Sequence, residues 1–138
     1  MNPSLASQIQ TANRALLVEG KFDTIDEFFT ADYVAHGTDR KLEGQGAIQR
    51  FVRELRQGFP DLEVEVEILL KTRDRVAWQR RLQGSHRGSF RGFPATGRRV
   101  VWRDMVVSRF RDGRIAEDWV STDIVERLLR SRKRRRTT

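Results

Sequence analysis

The chain has 138 residues and a mass of 16.1 kDa, with 38% hydrophobic and 9% aromatic residues, enough apolar material for one core and too short for two. It contains no cysteine and only two histidines, His36 and His86. That excludes disulfides, thiolate nucleophiles, Cys-ligated zinc and iron–sulfur clusters, and leaves little for a His-rich metal site.

The formal charge of +8 is unevenly placed. Residues 130–136 read RSRKRRR, and without those six basic side chains 21 Lys and Arg face 19 Asp and Glu. The body of the chain is close to neutral. A terminal run of like charge reads as a solvated extension, here residues 130–138, able to make weak, salt-sensitive contacts with nucleic acid or anionic surfaces. No apolar run approaches the ~20 residues of a membrane span. The opening MNPSLASQIQ lacks a signal-peptide profile, so a cytoplasmic protein is expected.

Leu5, Ile9, Ala12, Leu16 and Leu17 follow helical spacing and predict an amphipathic helix over 4–19, ended by Gly20 in a left-handed position. Thr24 and Glu27 form a capping-box pattern opening a short helix through Phe29. Residues 32–37 read as a brief extended segment leading into a polar loop. A third helix over 45–57 carries Ile48, Phe51, Val52 and Leu55 on one stripe, and Gly58 and Pro60 stop it.

Beyond Pro60 the period changes to alternation. Val64, Val66 and Ile68 alternate with Glu63, Glu65 and Glu67, the pattern of a half-buried antiparallel strand. Arg75–Gln83 and Arg99–Phe110 predict two more strands, separated by a loop containing GFPATG. Asp112-Gly113 predicts a hairpin returning as Arg114–Ser121. Asp123 reads as the cap of a terminal helix through Leu129. Helices first and strands later mean α+β, with helices covering one side of a curved antiparallel sheet in a single domain, residues 1–129.

Several strings carry a family resemblance: Ala31-Asp32-Tyr33-Val34-Ala35-His36, Phe59-Pro60-Asp61-Leu62, Gly84-Ser85-His86-Arg87-Gly88-Ser89-Phe90, Pro94-Ala95-Thr96-Gly97-Arg98, and Phe110 through Trp119 around the Asp-Gly turn. In this order the chain resembles the nuclear transport factor 2-like superfamily and, within it, the SnoaL-like polyketide cyclases. The resemblance implies a cone-shaped sheet around an apolar pocket that takes a small hydrophobic carbonyl compound, with no metal and no cofactor. It also implies a homodimer formed through the open sheet face. It places an acid/base residue at Asp118, on the strand after the hairpin. The partner position, a His in the cyclases, is Asp104 here.

A carboxylate facing an apolar cavity has its charged form disfavoured, so its pKa rises and it becomes a usable base near neutral pH. A strict two-residue turn would pair Val107 with Asp118 and leave Asp104 on the opposite face. A three-residue loop with a glycine bulge would pair Val106 with Asp118 and put both acids on one face; the resemblance favours this register. His36 stands where relatives commonly place a pocket histidine. His86 lies in a Gly/Ser/Arg-rich turn and is a further candidate, and Trp78, Trp102, Trp119, Phe51 and Leu55 are candidate cavity walls. Three rivals stand beside a cofactor-free cyclase or isomerase: a ligand-binding or dimerisation module without turnover, an epoxide-hydrolase or dehydratase-like enzyme, and a domain delivering its basic tail to nucleic acid. In the hydrolase version paired acids act with an arginine, but Arg103 is expected on the outer sheet face.

Overall fold

The computed structural model describes residues 4–37 and 40–134. The end of the basic run, residues 135–138, lies outside the described residues. Helix α1 (Leu5–Asn13) starts at Ser4, whose hydroxyl accepts the Ser7 N–H at 3.1 Å. It runs into a wider π-type turn, Arg14–Val18, before Gly20 takes φ +66°. A 3₁₀ turn (Phe22–Thr24) leads into the short α2 (Ile25–Phe28). The capping box expected at Thr24 does not form. Thr24 is already in a helical conformation, and its hydroxyl donates back to the Lys21 carbonyl at 2.7 Å.

Strand β1 (Phe29–His36) follows without a break and so begins three residues before the extended segment read from sequence. It pairs with β2 (Lys41–Glu43), a three-residue strand with no alternation long enough to read. Helix α3 (Gln45–Gly58) buries Ile48, Val52 and Leu55, with Phe51 half-buried beside them. Each such side chain removed from water contributes about 1.5–3 kcal/mol. Four long strands follow: β3 (Glu63–Lys71), β4 (Arg75–Ser85), β5 (Arg99–Arg111) and β6 (Arg114–Thr122). The sheet order is β2-β1-β6-β5-β4-β3, antiparallel throughout except that β1 runs parallel to β6.

The chain closes with α4 (Ile124–Arg134), which continues into the basic run instead of stopping at Leu129. Its first turn is anchored to the sheet by Asp123, whose carboxylate accepts the Arg103 N–H of β5 at 2.8 Å and pairs with Arg127. Asp123 thus ties the helix to the strand, and among the described residues its carboxylate accepts from Arg103 and Arg127 and from no helix N–H. Among the described residues no helix is long and apolar enough to cross a membrane.

Alternation decides which side chains face inward. Val76, Trp78 and Leu82 on β4, and Val100, Trp102, Val106 and Phe110 on β5, point to the concave side and are buried in one core cluster with residues of α1 and α3. The outer face leaves Met105 and Val107 exposed. In the loop after β4, Gly88 passes so close to α3 that a Cβ there would lie 2.1 Å from the Gln57 carbonyl oxygen, so only glycine fits without moving backbone.

Candidate functional site

The concave face and the helices enclose a cavity of about 450 Å³. Its wall is mainly apolar, with Ile9, Leu16, Val52, Trp78, Trp102 and Val106 prominent, and Asp104 and Asp118 both open onto it. The two acids reach the same face by a route that neither register read from sequence describes. Asp112 and Gly113, at φ +52° and +78°, make a two-residue turn, with Arg111 opposite Arg114 and Phe110 opposite Ile115. Ala116 is then an extra residue in β6, a bulge that sets Ser108 opposite Asp118. Asp104 lies four residues from Ser108 along β5 and therefore shares its face. The bulge is on the returning strand, where the three-residue loop read from sequence placed it in the turn.

Asp118 is 7% exposed and fully engaged. Tyr33 Oη donates to its Oδ2 at 2.6 Å, and Ser108 Oγ donates to its Oδ1 at 2.5 Å. Ser108 in turn accepts from Trp78 Nε1 at 2.9 Å. Burial pushes the Asp118 carboxyl above the usual carboxylate range, while the Ser108 and Tyr33 hydrogen bonds and the nearby Arg80 charge hold it partly back. Burial and the neighbouring Asp118 raise the Tyr33 phenol, so Tyr33 remains a proton donor.

Asp104, 4% exposed, is tied down differently. Arg80 Nε donates to its Oδ2 at 2.7 Å, and the same guanidinium donates from Nη1 to Asn13 Oδ1 at 2.8 Å. Asn13 is itself held by its amide donating to the Ile9 carbonyl. Arg80 lies over the Trp78 ring at 5.3 Å. The other carboxylate oxygen of Asp104, Oδ1, is buried without a hydrogen-bond partner among the described residues. An unpartnered acceptor on a cavity wall suits a ligand hydroxyl or an ordered water.

The remaining candidates divide. Trp78, Trp102, Phe51 and Leu55 line the cavity. His36 and Trp119 do not, because the parallel pairing of β1 with β6 sets Ala35 beside Asp118 and His36 beside Trp119. Ala35 therefore faces the cavity and His36 the outer surface, where its ring stacks on Trp119 with centroids 5.5 Å apart and its Nε2 lies 2.5 Å from Glu117. His36 and Arg109 hold the Glu117 carboxyl below its ordinary range. His86 is buried, is not among the cavity-lining residues and stacks on Phe59, and burial lowers its pKa while the nearby Phe93 and Gly88 backbone holds it partly back. Arg103 lies on the exposed face, as its strand parity requires.

Four residues that build the site were not singled out from sequence: Tyr33, Arg80, Ser108 and Asn13. Three carried a readable signal. Arg80 sits in phase with Val76, Trp78 and Leu82, and Ser108 in phase with Trp102 and Val106, so each is a polar residue at an inward strand position. Asn13 follows Ala12 on the buried face of the first helix. Among the described residues no group of three or more His, Cys, Asp or Glu side chains is arranged to hold a metal ion.

No curated protein sequence matches the chain significantly. Among solved structures, the SnoaL-like protein from Jannaschia sp. CCS1 is 29% identical with a TM-score of 0.73, covering 91% of this chain and 93% of its own. AclR, a proposed hydroxylase from Streptomyces galilaeus, is 27% identical with a TM-score of 0.76, over 94% and 87%. IdmH, a proposed polyketide cyclase from Streptomyces antibioticus, is 26% identical with a TM-score of 0.79, over 95% and 99%. These likenesses span the helices and the whole curved sheet, so the fold is nuclear transport factor 2-like. Residues 7–129, from the first helix through most of the last, match the model of the SnoaL-like polyketide cyclases, and the chain belongs to that family.

Proposed function

We propose that the chain binds a small, largely apolar carbonyl compound in the cavity and moves a proton on it, with Asp118 as the acid/base group. Family and fold support a small-molecule role of the cyclase or hydroxylase kind. The observation that carries the reading further is Asp118 itself: a buried carboxyl on an apolar cavity wall, held in one orientation by Tyr33 and Ser108. Desolvation strengthens such a base, and the two donors fix its direction. Asp118 takes a proton from the carbon beside a carbonyl. The enolate left behind attacks a second carbonyl of the same molecule, forming the carbon–carbon bond, and the resulting alkoxide receives a proton from Asp118. Arg80 and Asp104 supply fixed charge close by, and Tyr33 is placed to steady Asp118 as it changes charge.

One observation favours a second reading, epoxide hydration. Arg80, in place of the Arg103 considered from sequence, lies beside Asp104 and close enough to act on Asp118, with Asp104 Oδ1 left without a hydrogen-bond partner among the described residues. A single experiment separates the two. With an apolar cyclic diketone in D₂O, the first reading predicts protein-catalysed deuterium exchange at the carbon between the carbonyls, retained in His36→Ala. Val120→Phe, which narrows the cavity beside Asp118, is expected to abolish both exchange and the quenching of Trp78 and Trp102 fluorescence by the diketone. Opening of an aryl epoxide with no diketone exchange would displace the first reading in favour of the second. Neither activity, together with quenching that Val120→Phe abolishes, would leave a binding module without turnover.

A further inference from the structure

We infer that a second, basic cleft, between the start of β5 and α4 and apart from the apolar cavity, binds a compact phosphate-type oxyanion. Arg98 and Arg99 line it from the strand side, and Arg127, Arg130 and Ser131 from the helix; its volume is about 640 Å³. No carboxylate is among its lining residues. Arg99 is paired with Glu63 at 3.3 Å and Arg127 with Asp123 at 3.1 Å. Arg98 and Arg130 have no ion-pair partner among the described residues. Two guanidinium charges therefore remain uncompensated beside one another's cleft.

Ser131 makes the cleft more than a charged surface. It is 8% exposed, and its hydroxyl is buried with no hydrogen-bond partner among the described residues. A buried hydroxyl without a partner is unfavourable, and an acceptor brought by a ligand relieves that. Arginines near a helix C-terminus also complement the helix dipole, which accounts for Arg127 and Arg130. It accounts neither for Arg98 and Arg99, which come from another element, nor for the unpartnered Ser131, which lines the cleft with them. The dipole's roughly −0.5 charge opposes an anion, but two free guanidinium groups exceed it. Planar guanidinium forks fit tetrahedral oxyanions two bonds at a time, and the half-buried Val101 gives an ester an apolar surface to rest on. Convergence on one cleft suits a single phosphate group better than a polymer backbone, whose charges need an extended track.

The test is a ¹H–¹⁵N NMR titration of the full chain with inorganic phosphate, phenyl phosphate and a single-stranded oligonucleotide in parallel. Saturable shifts confined to residues 98–101 and 127–131 are expected with both phosphates, tighter binding of phenyl phosphate marking an ester as the source and tighter binding of inorganic phosphate marking the free ion. Arg98→Gln combined with Arg130→Gln is expected to weaken binding about 10- to 100-fold, since each charged hydrogen bond lost is worth about a factor of ten or more. Ser131→Ala should weaken it with the unfolding midpoint unchanged or raised. A variant with glutamine at positions 133–136 should bind as the parent does. The proposal is overturned by the absence of saturation, by binding that survives the double arginine change, by binding lost only in the 133–136 variant, or by an oligonucleotide that outcompetes both phosphates at these residues.

Discussion

Arg80→Met is expected to destabilise the fold by about 3–5 kcal/mol, the usual cost of removing one partner of a buried ion pair. The side chains of Arg80 and Asp104 are 11% and 5% exposed, so solvent screens neither well. The substitution keeps most of the side-chain volume over Trp78 but strips Asp104 of its only donor among the described residues, and leaves Asn13 Oδ1 without its arginine donor. Against a typical total of 5–15 kcal/mol, that is a large share of stability. The double change Arg80→Met with Asp104→Leu is expected to recover most of the loss, because replacing a whole buried pair by apolar groups is often neutral or stabilising. Urea midpoints of the three proteins check this. A single-variant cost below about 1 kcal/mol, the range of exposed pairs, would show that water reaches the pair. Arg80 also lowers the Asp118 pKa, so its loss should push Asp118 further up.

Asp118→Asn is expected to reduce diketone exchange by about 10²–10⁴-fold, the usual contribution of a positioned acid/base group. The amide is close to isosteric: its oxygen accepts from Ser108, and its NH₂ donates to Tyr33 Oη, so the fold should persist. The pH dependence gives an independent reading. Asp118 has its folded pKa raised above the unfolded one, so the folded state holds this proton more tightly. Its contribution to stability is fully present below the ordinary aspartate value of about 3.9 and is lost as pH rises through the raised folded value. The stability of the parent chain relative to Asp118→Asn should therefore fall with rising pH across that window, while base-dependent exchange in the parent rises through it. Urea midpoints measured at several pH values for both proteins follow the first trend. A relative stability that climbs with pH would mean that the hydrogen bonds from Ser108 and Tyr33 outweigh burial.

Much of the fold is legible locally. Period-3.6 stripes in α1 and α3, alternation in β3 to β5, and Asp112-Gly113 each rest on neighbouring residues, and the structure forms an element at each. What escapes the sequence depends on pairing across distance. The bulge at Ala116 needs no special residue, since an alanine marks nothing, yet it decides which face Asp118 occupies. His36 turns outward because β1 runs parallel to β6, a pairing between segments some eighty residues apart that no local pattern announces. Arg80 was readable in principle, an arginine at an inward strand position, but strand parity alone does not say whether such a charge meets a partner or water. The basic run behaves likewise. Its composition reads as a solvated tail, whereas arginine is a good helix former and α4 carries Arg130 and Ser131 back against the sheet.

The most direct measurement is the carboxyl ¹³C titration of Asp118 by NMR, assigned through Asp118→Asn. A midpoint clearly above the ordinary aspartate value of about 3.9 is the expected result, since burial outweighs the two donors and Arg80. A midpoint at or below that value would mean a carboxylate stabilised in its charged form, and Asp118 would then be a structural anchor for Tyr33 and Ser108 instead of a base.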